Sequence, residues 1–272
     1  MTRFIGITRE QVFSPGRVDD DRAILVAAAD HLRRSGREVT VLCADDDQWP
    51  APRRDTLVFT MAQGARALER LAAWQARGAR VVNTPAGILN CQRHRTVAAF
   101  SGADIAFPET VLLAAAGDPV LPAWIADGGA WVKRGDVHAT ESDDVVFAAD
   151  VEAARAALRR FTARGIRQAV VQRHVPGIVV KFYAVRGRFF FGVPPLEGPS
   201  VPAQALSGID ALGQRAARVL DVEIYGGDCV YGVNGRLTLI DLNDWPSYAR
   251  CRAGAAKEIA AYLLAQEVAT DT

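Results

Sequence analysis

The chain has 272 residues, half of them hydrophobic and 23% charged, with a formal net charge of +1. A chain of this length can bury a sizeable core and hold two or three lobes. The near-neutral balance gives no overall electrostatic case for nucleic acid or an anionic membrane, and no apolar run approaches the ~20 residues needed to span a bilayer. Met1–Arg9 reads as a short strand followed by charge rather than a signal peptide, so a cytoplasmic setting is expected. Cys43, Cys91, Cys229 and Cys251 are scattered without a CxxC pair or a zinc spacing and read as buried free thiols. The basic residues are nearly all arginine, and Lys133, Lys181 and Lys257 are the only lysines. A chain so biased keeps lysine where a compact ammonium is needed, although Lys257 lies in an amphipathic stretch and reads as solvated.

Arg3–Thr8 is expected to be a strand, Asp19–Ser35 a helix with Gly36 just past its end, and Arg37–Cys43 and Thr56–Thr60 two further strands. Gly64–Arg77 reads as a helix and Ala79–Asn83 as a fourth strand. This alternation implies a parallel sheet with helices on its faces. No G-x-G-x-x-G follows the first strand and no G-x-x-x-x-G-K-[ST] occurs, so a nucleotide site here is of neither of those kinds. Thr84–Ser101 reads as helical from Pro85, followed by a connector over Gly102–Pro108. Pro108–Leu113 and Ala130–Arg134 read as strands, and Glu152–Arg164 as a helix ending at Gly165. Gln168–His174 and Val179–Val185 read as strands, the second turning through Arg186-Gly187 into Arg188–Gly192. Val193–Gly208 is rich in Pro, Gly and Ser and reads as a loop over a cleft. Ile209–Val219 is expected to be a helix, and Ser247–Val268 a last one, with Ser247 as its N-cap.

Between those two helices lies the most informative segment, Gly227–Asn243. Asn234-Gly235 separates two apolar, β-branched runs, a strong signal for a two-residue hairpin turn. Such a turn sets Val233 opposite Arg236, Tyr231 opposite Thr238 and Asp228 opposite Asp241. Asn243 projects from the same face as Asp241. Like charges directly opposed across a strand pair repel, and a divalent cation between them reverses the sign. Magnesium takes an octahedral shell of oxygens, commonly a couple of carboxylates, phosphate oxygens and water. Asp228, Asp241 and the Asn243 carbonyl supply such ligands.

Four features now stand in order: Asn83–Cys91 leading into Arg93-His94-Arg95; Trp131–Asp136, with Lys133 near a strand end; Ala169–Gly177, a strand running into a turn; and the hairpin closing with Ile240-Asp241-Leu242-Asn243-Asp244-Trp245-Pro246. Together they resemble the ATP-grasp superfamily of glutathione synthetase, D-alanine–D-alanine ligase and the ribosomal-protein glutamate ligases. The resemblance covers roughly residues 83–250. It implies an α/β chain (an α+β grasp) in which a parallel-sheet domain, 1–83, precedes a small lobe and linker, 84–172, and a large C-terminal lobe with the metal site, 173–272. By the same resemblance Lys133 contacts ATP phosphates, Arg95 (with Arg93 as the alternative) takes the place of an earlier phosphate-touching lysine, and Gln172, Arg173, His174 and Val175 form the adenine hinge. Asp228, Asp241 and Asn243 match the magnesium ligands, with Mn2+ as a substitute, and Pro246 matches the proline three residues beyond the asparagine.

The implied reaction is ATP- and Mg-dependent joining of a carboxylate to an amine, on amino acids or a small peptide, through an acyl phosphate. Partners are then small molecules, with neither nucleic acid nor membrane, and a homodimer is compatible. Several departures bear on this. The usual glutamate at 241 is an aspartate. The loop after Lys133 has a single glycine, so that His138 and Thr140 are expected to contribute contacts. No acid follows the hinge at the ribose position, and Lys181 stands nearby. No arginine lies in Phe191–Gly208 to steady an acyl phosphate, which leaves Arg250 and Arg252 as candidates for an anion site. The strand Val180–Val185 also resembles the Lys-x-Tyr strand of inositol trisphosphate kinases, so phosphoryl transfer to a hydroxyl is the alternative. A non-catalytic nucleotide-binding module is the third.

Overall fold

The computed structural model describes residues 2–14, 16, 18–135, 141–197 and 200–267. Three four-stranded sheets follow one another along the chain. The first contains β1 (Arg3–Thr8), β2 (Val39–Cys43), β3 (Thr56–Thr60) and β4 (Arg80–Val82), all parallel, in the order β2-β1-β3-β4. Helices α1 (Val18–Arg34) and α2 (Ala65–Ala76) cover its faces. Every residue of β3 is buried, as expected of a central parallel strand. Gly36, at φ +82°, ends α1 in the left-handed conformation.

The expected helix over 84–101 is two helices, α3 (Pro85–Asn90) and α4 (Arg93–Ser101), separated at Cys91-Gln92. Thr84 caps α3 by accepting from the Gly87 amide. The second sheet, in the order β5-β8-β6-β7, is antiparallel. It holds β5 (Thr110–Ala114), β6 (Ala130–Arg134), β7 (Val145–Ala148) and β8 (Gln168–Arg173). One face packs on α5 (Val151–Ala163) through Val132, Val171, Leu158 and Phe161. The opposite face carries Lys133 and Gln172. Strand β7 is an addition to the expected elements.

The third sheet, in the order β10-β9-β11-β12, is also antiparallel. It comprises β9 (Gly177–Val185), β10 (Phe189–Val193), β11 (Ile224–Gly232) and β12 (Leu237–Asp244). Val180, Phe182, Tyr225, Cys229, Leu239 and Leu242 turn one face onto α6 (Ala203–Leu220). That helix starts six residues before its expected first residue, so the loop over 193–208 is shorter than anticipated. On the other face Tyr183, Val185 and Ile224 join a core with Trp245, Tyr248, α1 and α7 (Arg252–Ala265). Helix α7 is not capped by Ser247: Trp245 (φ +30°) and Tyr248 (φ +50°) hold the chain in a non-helical turn, and Cys251 is the N-cap. Among the described residues no helix is long and apolar enough to cross a membrane, and the four cysteines are free.

Candidate active site

The hairpin reaches the expected carboxylate pairing by an unexpected route. Gly235 lies at φ +77°; its amide donates to Gly232 O at 2.8 Å, and the Gly232 amide donates to Arg236 O at 2.9 Å. That is a type I turn with an added left-handed residue, one residue longer than a two-residue loop. Tyr231 therefore faces Leu237 and Val230 faces Thr238, each one position off the expected register. Ile240 is then extra: Cys229 faces Leu239, while Asp228 faces Asp241. This β-bulge cancels the shift at the turn and puts both carboxylates back in register.

Across the sheet the residues form two rows on one face. Val193, Lys181, Asp228 and Asp241 make one; Phe191, Tyr183, Gly226 and Asn243 make the next. Lys181 Nζ lies 3.0 Å from Asp228 Oδ1. Asp241 Oδ1 accepts from the Leu242 amide at 3.1 Å, and Asp241 Oδ2 lies 3.4 Å from the Arg93 guanidinium. Asn243 Oδ1 is fully buried and, among the described residues, accepts no hydrogen bond. A buried amide oxygen without a donor is costly, and beside two carboxylates it suits a hard cation. The donor set is all oxygen, the chemistry magnesium selects.

Lys133 joins the two lobes. Its ammonium donates to Gln172 Oε1 at 2.8 Å within the small sheet and to Ile240 O at 3.1 Å in the bulge of the large one. Burial lowers its pKa to about 8; Arg93 adds to that effect, while Asp241 and Asp228 oppose it. Asp228 is pushed up by burial and by Asp241, against the pull of Lys181 and Lys133. Burial pushes Lys181 down, but the Asp228 carboxylate more than reverses this and its pKa is raised. Arg93, Thr96, Lys133, Gln172, Ile240 and Asp241 help to enclose a cavity of about 10 Å³ between the lobes.

Other expected residues are placed differently. Arg93, not Arg95, reaches the acids: Arg93, Thr96 and Phe100 form the buried face of α4, and Arg95 is exposed. Arg252 pairs with Asp20 of α1 at 2.8 Å. Arg250 is exposed, near enough to Tyr183 to oppose the rise that burial gives its phenol. The Arg173 side chain turns to Glu109 at 3.2 Å, and His174 Nδ1 accepts from Trp131 Nε1 at 3.2 Å, so neither points at the acids. The Arg173 and His174 amides donate to Glu109 O and Gly129 O. Among the described residues no backbone acceptor is seen for the Val175 amide. His138 and Thr140 lie outside the described residues.

The reading of the sequence missed a set of N-terminal residues that hold the segment after Asn243. Arg9 donates to Met61 O, Asp21 Oδ2 and Trp245 O at 3.3, 3.0 and 2.8 Å. Gln63 Nε2 donates to Asp244 Oδ1 at 3.2 Å. The one available signal was position: Arg9 directly follows the C-terminal end of β1 and Gln63 lies three residues beyond that of β3, the end where α/β sheets place functional groups.

No family model matches the chain, and no curated protein does. Solved structures match over nearly its whole length. A RimK domain protein from Sphaerobacter thermophilus aligns at 22% identity over 97% of this chain and 100% of that one, with a TM-score of 0.69. A D-alanine–D-alanine ligase from Bacillus anthracis, complexed with ATP, gives 0.71 at 10% identity over 99% and 98%. The ligase PsnB, bound to a precursor peptide and AMPPNP, gives 0.66 at 16% identity over 98% and 97%. The chain has the ATP-grasp fold, the α/β architecture in which an N-terminal parallel sheet precedes two antiparallel lobes.

Proposed function

We propose that this protein is an ATP- and Mg2+-dependent ligase that joins a carboxylate to an amine, with an amino acid or small peptide as substrate. One observation carries the reading: Asp228, Asp241 and Asn243 share one face of the large sheet while Lys133 reaches that sheet from the small one. Phosphoryl transfer depends on positioning and on neutralising charge at the phosphates, and this junction concentrates both. The solved structures of this fold that hold nucleotide, metal and peptide, such as PsnB with Mg, ADP and a minimal precursor, support the assignment.

Lys133 and Arg93 would hold the phosphates, the Val175 amide would meet the adenine, and Asp228, Asp241 and Asn243 would hold Mg2+. Bound there, the ion would offset phosphate charge. The γ-phosphoryl group passes to the substrate carboxylate with loss of ADP. The amine then attacks the acyl carbon, loses a proton and expels phosphate. The space lined by Lys133, Gln172, Ile240 and Asp241 is water-sized in this conformation. Phosphoryl transfer to a hydroxyl is the second reading, favoured by Lys181, which stands on the metal face where the acyl-phosphate arginine of a ligase is missing.

The test follows phosphorus by NMR with protein, ATP, Mg2+ and pools of amino acids, short peptides and polyols. Free phosphate with a condensed product supports the ligase, and a phosphorylated product supports the kinase. No substrate-dependent turnover in any pool removes both.

A further inference from the structure

We propose that the Lys181 ammonium takes the place of a second divalent cation, so that this chain binds one metal ion per nucleotide. The inference rests on the reading of the cleft as a nucleotide site. Lys181 and Asp228 are direct partners on neighbouring strands, which fixes the ammonium beside the carboxylate through the backbone register as well as the side-chain contact at 3.0 Å. Its neighbours in the row are Val193, which offers no charge, and Asp228.

The oxygens nearby support the same conclusion. Asp241 accepts from the Leu242 amide with one oxygen and faces Arg93 with the other. Asn243 Oδ1 is the acceptor without a donor among the described residues. Asp228, Asn243 and one oxygen of Asp241, completed by phosphate and water, make one octahedral shell. The first ion needs one oxygen of Asp228, and a second beside it would have to displace the Lys181 ammonium from the other.

The experiment titrates Mn2+ into the full chain with saturating AMPPNP and counts bound ions by electron paramagnetic resonance. The wild type is expected to hold one ion per nucleotide. Lys181→Met, at a half-exposed side chain, is expected to bind a second, and Lys181→Arg to stay at one; circular dichroism checks the fold of each. Two ions in the wild type overturn the proposal, and so does a Lys181→Met protein that still holds one. Mn2+ uptake that does not depend on AMPPNP removes the nucleotide reading itself, and the proposal with it. That outcome is distinct from a two-ion count, which leaves the nucleotide reading standing.

Discussion

The guanidinium of Arg9 donates to the carbonyl of Trp245 at 2.8 Å, joining the end of the first strand to a residue 236 positions later. Trp245 lies two residues beyond Asn243, fully buried and at φ +30°, a strained conformation for a large side chain. Arg9 in turn is held by Asp21, which also accepts from Ser14 Oγ at 2.6 Å. The N-terminal domain thus holds the turn that follows Asn243.

Arg9→Met should therefore destabilise the fold and disturb the site together. Removing one partner of a buried pair costs ~3–5 kcal/mol, which chemical denaturation reads directly. Adding Asp21→Asn should recover part of that loss, because the stranded carboxylate is gone. In folded Arg9→Met protein the half-saturating Mg2+ concentration should rise several-fold. Unchanged magnesium dependence would show that the tether does not influence Asn243.

Asp228→Asn should lose turnover by about two orders of magnitude or more, with Mg2+-dependent ATP affinity lost and the fold retained. Its carboxyl is raised by burial and by Asp241, so the neutral amide relieves repulsion in the metal-free protein. Stability should be equal or higher without Mg2+, and the thermal shift on adding ATP and Mg2+ should vanish. A full shift in the variant would reject the metal assignment.

Lys133→Met gives a test by pH. Burial lowers the lysine from 10.5 to about 8, so the unfolded chain binds more protons than the folded one between those values. Wild-type stability therefore rises with pH across that window, while a methionine contributes no such term. The variant's stability relative to wild type should fall by about 3 kcal/mol from pH 7 to above 10.5. A constant difference across the window would mean that the ammonium is not desolvated. Loss of Lys133 should also abolish turnover at every pH.

Gly226 stands opposite Asn243, and a Cβ there would come within 2.8 Å of Phe182 O and of Pro246 Cγ. Backbone on one side and a proline ring on the other cannot both give way easily. Gly226→Ala should push the segment after Asn243 outward and cut activity at least tenfold. Far-ultraviolet circular dichroism should be unchanged, since Pro246 lies outside the strands. Normal activity would mean that the displaced turn does not carry Asn243 with it.

The alternation of strand and helix was legible over the first 83 residues because burial there follows simple periodicity. The carboxylate pair was legible too, although through two offsets that cancel: the turn is longer by one residue, and Ile240 takes up the difference. Strand β7 was not seen, since four residues after an acidic stretch carry too short a pattern. Arg93 could have been preferred to Arg95 from the spacing of Thr96 and Phe100 on one helical face. Arg9 and Gln63 could not be linked to Asp244-Trp245, because those partners lie more than 180 residues away and carry no local signal.

Ile240 also insulates the chemistry from the surface. The distal loop, where Val233 is 94% exposed, lies on the far side of this bulge from Asp241. An affinity tag or a reporter spliced between Val233 and Arg236 therefore provides a handle on this protein that leaves the acids undisturbed.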